Sequence, residues 1–215
     1  MAELIELRQT LPAVFSGRDE IVSEIWHQHV SFQRGRNYLI EAASGTGKSS
    51  LCSFVYGWRR DYEGIITFDS ENVRKFSVSR WVDLRRKSLT MMFQELRLFP
   101  ELTAWENVLM KNSLTGFQEK KTILDWFSRL GISDKLSQKA GKMSFGQQQR
   151  VAFIRALCQP FDFIFLDEPV SHLDGDNAAV MADILQEESS RQGAGVIVTS
   201  IGNRLMMNYD KTFNL

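Results

Sequence analysis

Ala42-Ala43-Ser44-Gly45-Thr46-Gly47-Lys48-Ser49 follows the apolar run Tyr38-Leu39-Ile40 and precedes Ser50 to Tyr56, a segment that reads as helix. A glycine loop between a strand and a helix is the context that makes a phosphate-binding loop credible. Small residues and glycines let successive backbone N–H groups turn inward around an anion. The helix that starts there adds its unpaired donors and the positive end of its dipole. Lys48 would reach the β- and γ-phosphates of a nucleotide, and the Ser49 hydroxyl would sit on Mg2+. Ser44, Gly45, Thr46, Gly47, Lys48, Ser49 and Ser50 form the candidate binding set. One position departs from G-x-x-x-x-G-K-[S/T]: the first glycine is Ala42. A methyl group fits at a strand end if φ stays negative. The competing reading is a flexible Gly/Ser turn with a chance lysine.

The chain has 215 residues, 43% of them hydrophobic, enough for one sizeable core and a smaller appended lobe. Its 26 basic and 26 acidic residues balance, so no global field recruits nucleic acid or anionic lipid. Cys52 and Cys158 are read as buried free thiols, consistent with a reducing compartment. The N-terminus has no basic segment followed by an apolar stretch, so no secretory signal is expected. The longest apolar runs fall far short of the roughly 20 residues of a membrane helix. Work at a membrane therefore requires docking on a partner.

Strand patterns cover residues 3–9, 28–41, 64–68, 89–93, 161–166 and 195–199, and helical periodicity covers 103–112, 118–130, 146–158 and 176–192. Phe161 to Leu166 and Val196-Ile197-Val198 are short continuous apolar runs, as parallel strands buried on both faces require. Phe163-Ile164-Phe165-Leu166 ends in Asp167-Glu168-Pro169. Such a strand, beside the phosphate loop on a neighbouring strand, can carry Asp167 to the Mg2+ shell next to Ser49. Glu168 is then a natural general base for the water that attacks the γ-phosphate. By itself the acidic pair could simply close a strand in a solvated turn. Arg85-Arg86-Lys87 and Lys120-Lys121 read as solvated faces, and His27 with His29 lacks a third partner for a metal.

Met143-Ser144-Phe145-Gly146-Gln147-Gln148-Gln149-Arg150-Val151 resembles the signature of ABC ATPases, L-S-G-G-Q, continuing into Gln149-Arg150-Val151-Ala152-Phe153-Ile154-Arg155-Ala156-Leu157. The resemblance runs over nearly the whole chain in order: phosphate loop, Gln94, signature, Asp167-Glu168-Pro169, then Ser171-His172-Leu173-Asp174. It implies an α/β fold, a P-loop NTPase core with a mainly parallel sheet, N-terminal antiparallel β elements and a helical subdomain. Residues 1–215 would form a single ABC ATPase domain, with the helical subdomain inserted at about 95–145. It also implies two copies facing head to tail around two ATP molecules. Lys48 and Ser49 of one copy would hold the phosphates and Mg2+; Ser144, Gly146 and Gln147 of the other would close on the γ-phosphate. The resemblance makes Ser49, Gln94 and Asp167 the metal set, places Asp174 at the dimer interface, and offers Phe15 as the aromatic that stacks on adenine. An ordinary core phenylalanine is the other reading of Phe15. Phe99 and Trp105 are candidates for a groove that receives a partner helix.

Two departures bear on activity. Phe145 stands where the family usually has glycine. Ser200, after the 195–199 strand, stands where it usually has the histidine that contacts the γ-phosphate. A serine donates one hydrogen bond but carries no charge and has less reach. The catalytic set implied is therefore Glu168, Gln94 and Ser200, with slow ATP hydrolysis. The implied role is the ATPase subunit of a membrane transporter, weakly similar to lipoprotein-release and macrolide-export types. Its partners would be a multi-span permease and a second cassette, identical or different, with no nucleic acid, at the inner face of the cell membrane. The alternative is a soluble or regulatory cassette that holds ATP with little hydrolysis. A DNA-repair or translation cassette is disfavoured because no long heptad run lies between Lys48 and Asp167.

Overall fold

The computed structural model describes residues 1–17 and 21–215. β1 (Leu4–Pro12) pairs antiparallel with β2 (His29–Gln33), and a turn through Gly35 leads to β3 (Asn37–Glu41) in a second sheet. The expected strand run over 28–41 is thus two strands in two sheets. After the 42–47 loop and α1 (Lys48–Val55), β4 (Tyr62–Phe68) and β5 (Glu71–Asn72) return to the first sheet, ordered β2-β1-β4-β5. α2 (Val78–Lys87) leads into β6 (Leu89–Met92); α3 (Ala104–Asn112), α4 (Lys120–Arg129) and α5 (Phe145–Leu157) follow. The chain closes with β7 (Phe163–Asp167), α6 (Gly175–Gln192), β8 (Gly195–Ser200) and β9 (Lys211–Asn214). The second sheet is ordered β6-β7-β8-β3-β9 and all its pairs are parallel.

The parallel sheet divides two cores because strand side chains alternate faces. Phe163 and Phe165 join Phe32, Phe54 and Phe68 under the antiparallel sheet, while Ile164 and Leu166 join Phe153, Ile154 and Leu185 under α5 and α6. Val196 and Val198 divide from Ile197 in the same way, and Leu39 from Tyr38 and Ile40. Every residue of β7 and β8 is buried, which is why both read as uninterrupted apolar runs. β2 is covered on one face only and alternates exposed and buried. In β1 the register shifts between Arg8 and Leu11, opposite Gly64. A Cβ on Gly64 would lie 2.2 Å from the Gln9 carbonyl oxygen, and its φ is +81°, so glycine is required there.

Between β6 and α5 the described residues contain helices and turns, joined by one isolated bridge, Thr103 to Lys139. α3 starts at a capping box: Thr103 Oγ1 accepts from Glu106 N at 3.1 Å and Glu106 Oε2 accepts from Thr103 N at 2.8 Å. Two elements go beyond the periodicity reading. α2 buries only Trp81 and Leu84 of its ten residues, too narrow a stripe to stand out. β9 is a four-residue edge strand with one inward side chain, Phe213. The structure also corrects the reading of Arg85 as solvated. Its guanidinium lies over Tyr56 and Trp81, 5.0 and 4.9 Å from the ring centres, and donates to the Tyr56 and Gly57 carbonyls.

Lys111, on α3, is pushed down from its usual value to about 8 by burial, with the Arg155 charge adding to the effect. Its proton is held less tightly in the folded than in the unfolded chain, so between about pH 8 and 10.5 stability rises with pH. Lys111→Met is therefore expected to stabilise the protein at pH 7 by on the order of 2–3 kcal/mol. Urea denaturation should show that gain shrinking as pH rises through this window; a gain independent of pH would contradict it.

Candidate phosphate and carboxylate site

The 42–49 loop runs from the C-terminal end of β3 into α1. Ala42 N donates to the Ser200 carbonyl at 3.2 Å, continuing the β3–β8 ladder, and its φ is not positive, so the methyl group costs no strain. Gly47 has φ +101°, and a Cβ there would meet the Trp26 ring at 3.0 Å and the Phe15 ring at 3.1 Å. The loop thus rests on two aromatic rings. Trp26 also donates its indole N–H to the Thr46 carbonyl at 2.9 Å. Thr46 Oγ1 and Lys48 Nζ both donate to the Ala43 carbonyl at 2.9 Å, closing the loop on itself. Leu51 N donates to the Gly47 carbonyl at 2.9 Å as the first turn of α1 closes. The amides before it point out of the helix end, as an anion site requires.

Four separated segments converge here. Lys48, only 5% exposed, has its ammonium 3.8 Å from Glu168 Oε1. Gln94 Nε2 donates to Glu168 Oε2 at 3.4 Å, and Ser49 Oγ donates to Gln94 Oε1 at 3.3 Å. Asp167 is buried at the end of β7 and accepts the Thr199 hydroxyl at 2.6 Å. Glu168 has φ +51°, a strained conformation for a non-glycine residue. Its N–H donates to the Thr199 carbonyl and hydroxyl oxygens, both at 3.2 Å, and its carbonyl accepts Gln149 Nε2 at 3.2 Å. These bonds turn its carboxylate toward Lys48 and Gln94.

One expectation is corrected. The strand of Asp167 does not neighbour the strand of the loop: β8 lies between them. Thr199, on that intervening strand, bridges the gap through its bonds to Asp167 and Glu168. Thr199, Trp26 and Arg155 are the residues that sequence reading passed over as site builders. Arg155 of α5 donates to the Leu96 and Arg97 carbonyls, whose residues both have positive φ, and so holds the turn after Gln94. Burial lowers the Arg155 guanidinium to about 10. Arg97 in turn lies between the Trp58 and Phe93 rings, 3.8 and 3.9 Å from their centres. The polar residue ending the apolar Val-Ile-Val run was the one available signal for Thr199.

The other candidates lie elsewhere or are otherwise engaged. Ser200 is 1% exposed and donates its hydroxyl to the Asn203 carbonyl at 2.7 Å. Ser50 Oγ accepts from Arg59 at 3.0 Å. Phe15 is 7% exposed and sits in the core under the antiparallel sheet, with its ring edge against the loop. Ser44 and Gly45 are exposed at the loop tip. Ser144 caps α5 reciprocally with Gln147: Ser144 Oγ accepts from Gln147 N at 3.3 Å and Gln147 Oε1 accepts from Ser144 N at 3.0 Å. Among the described residues no hydrogen bond or ion pair joins Ser144, Gly146 or Gln147 to the Lys48–Glu168 cluster. Phe145 is 42% exposed and packs edge-on against His172, ring centres 4.4 Å apart. Asp174 caps α6, and hydrogen bonds from Asn177 hold its carboxyl below the ordinary range. Trp105 lines a groove with Leu124, Leu136 and Lys120, while Phe99 is exposed outside its walls. His29 is engaged with Glu6 at 2.9 Å.

The ABC transporter family model matches residues 27–171. The chain is 34% identical over 176 residues to the uncharacterized ABC transporter ATP-binding protein YclH of Bacillus subtilis, covering 80% of this chain and 76% of that protein. It is 27% identical over 217 residues to the lipoprotein-releasing system ATP-binding protein LolD of Syntrophotalea carbinolica, covering 100% and 95%. Over 200 residues it is 32% identical to the macrolide export ATP-binding/permease protein MacB of Nitrosomonas europaea, covering 91% of this chain and 30% of that one. The dimeric structure of MJ0796, a bacterial ABC transporter cassette, superposes with a TM-score of 0.77 at 25% identity, covering 91% of this chain and 87% of that one.

Trp26→Phe keeps an aromatic ring under the loop but removes the bond to Thr46. It is expected to cost about 1–2 kcal/mol in unfolding free energy and to weaken triphosphate binding several-fold. Unchanged affinity in a titration would show that the indole does not shape the loop.

Proposed function

The chain belongs to the ABC transporter ATP-binding family and is an ATP-binding, ATP-hydrolysing transporter subunit; from that premise we propose how its residues carry out the reaction. The convergence of Lys48 and Ser49, Gln94 and Glu168 from three segments of sequence is the observation that carries the reading. Residues 44–50 hold the triphosphate through backbone amides and the Lys48 ammonium. The Ser49 hydroxyl, Gln94 amide oxygen and Asp167 carboxylate form an all-oxygen set suited to Mg2+. Ser49 Oγ and Gln94 Oε1 stand 3.3 Å apart, so the two oxygens would be able to hold one such ion together. Bound there, the ion would neutralise charge on the β- and γ-phosphate oxygens. Glu168 accepts the proton of the attacking water as its oxygen bonds to phosphorus, and ADP departs with the electron pair of the broken P–O bond.

Pairing of two copies, head to tail, is supported by the separation of the signature from the Lys48 cluster within one chain. Ser144 and the α5 N-terminus then close on the partner's γ-phosphate. ATP-driven closure would pull on a multi-span permease seated against the helical region, about residues 95–145, at the inner face of the membrane. No helix among the described residues is long and apolar enough to cross a membrane. Phe15, at the loop edge, is offered as the adenine contact. With the Ser200 hydroxyl committed to Asn203, turnover is slow. That same bond favours, as a second reading, a regulatory cassette that retains ATP.

Lys48→Ala is expected to raise the Kd for Mg-ATP at least 100-fold, about 2.7 kcal/mol; equal affinity would remove the reading. Glu168→Gln with Mg-ATP should elute as a dimer in sizing chromatography, because uncleaved nucleotide holds the halves together. Ser200→His should raise turnover about ten-fold; brisk wild-type activity with no gain in the variant would reject slow hydrolysis.

A further inference from the structure

The end of β8 offers the γ-phosphate no free side chain, yet an unassigned imidazole lies on the signature face. Of the three histidines in the chain, His29 is engaged with Glu6 on the antiparallel sheet and His27 lies just before it. His172 is exposed, four residues beyond Glu168. The turn between them is fixed: the Glu168 carbonyl accepts the Ser171 backbone N–H at 3.5 Å and Gln149 Nε2 at 3.2 Å. His172 is also tied to the signature. Its carbonyl oxygen would lie 3.0 Å from a Cβ on Gly146, and its ring packs edge-on against Phe145. Whatever anion approaches Ser144 and Gly146 therefore also approaches His172. Ser171 Oγ and His172 Nδ1 are 2.9 Å apart. When that hydroxyl donates to Nδ1, the ring proton sits on Nε2 and faces outward as a donor.

We propose that His172 acts in trans: in the closed pair, its Nε2–H donates to a γ-phosphoryl oxygen held by the partner's loop and replaces in part the contact that Ser200 does not make, so that turnover is slow but not abolished. This rests on the head-to-tail pairing proposed above. His172 makes and breaks no covalent bond. It stabilises charge on the transferring phosphoryl group while Glu168 of the loop-bearing copy takes the water proton. Phe145 then has a use: its ring steadies an imidazole on an otherwise exposed turn.

Two measurements test the assignment. In the Glu168→Gln protein, Ser44→Cys and His172→Cys together should give a covalent dimer on oxidation only when Mg-ATP is present. In turnover assays, His172→Ala should cost at least ten-fold, largely in kcat, and His172→Gln, which keeps a donor, should cost less. In the presence of Ser200→His the same His172→Ala change should cost under two-fold, because the contact is then made within one chain. An ATP-trapped dimer without the cross-link, or a His172→Ala cost that is absent or equal in both backgrounds, overturns the proposal. Failure of Glu168→Gln to dimerise would instead remove the pairing on which it stands.

Discussion

A buried ammonium sets the terms for everything around it. Lys48 is taken out of water at the start of α1 with a carbonyl at 2.9 Å and a carboxylate at 3.8 Å. Desolvating a cation costs several kcal/mol unless charge and hydrogen bonds offset it. The loop backbone, the strained turn at Glu168 and the Gln94 amide are arranged to meet that cost and to present the cation to a multiply charged anion. A carboxylate beside the lysine also suits the proposed chemistry: in that reading it would already be in place as a base when phosphate takes over as the main counter-charge.

The parallel sheet supplies the rigidity. Its strands are buried on both faces and send alternate residues into two cores, so their C-terminal ends are fixed relative to one another. Gln94 follows β6, Asp167 ends β7, Thr199 and Ser200 end β8, and the phosphate loop follows β3. All the chemistry therefore collects on one edge, as in other open parallel sheets. The helices between β6 and α5 reach that edge through the turn after Gln94, which Arg155 and the Trp58–Arg97–Phe93 stack hold in shape. A change beside Gln94, where the proposed γ-phosphate would lie, thus has a short physical route to the helical region.

Much of this was legible in the sequence, for reasons that also explain what was not. The phosphate loop, Gln94, the signature and Asp167-Glu168 are short motifs whose chemistry is written in residue type and order. β7 and β8 declare themselves because double burial leaves no polar interruptions. α2 stayed hidden because two buried residues in ten make no stripe, and β9 because one inward side chain makes no period. The insertion of β8 between β3 and β7 is a matter of strand order, which local pattern does not encode. Trp26 lies twenty residues before its partner Thr46, and Arg155 supports a turn that precedes it by 58 residues. No local signal links such pairs. Thr199 looked like the polar end of a strand because its partner lies on another.

Paired use of two faces that never meet within one chain is the centre of the reading, and complementation tests it most directly. Lys48→Ala spoils the loop and leaves the signature intact; Ser144→Arg does the reverse. Each variant alone should fail to hydrolyse ATP, while a mixture should recover turnover, because the loop of one and the signature of the other rebuild a complete site. Turnover by Ser144→Arg alone, or none in the mixture when both chains remain folded, would contradict a site shared between copies.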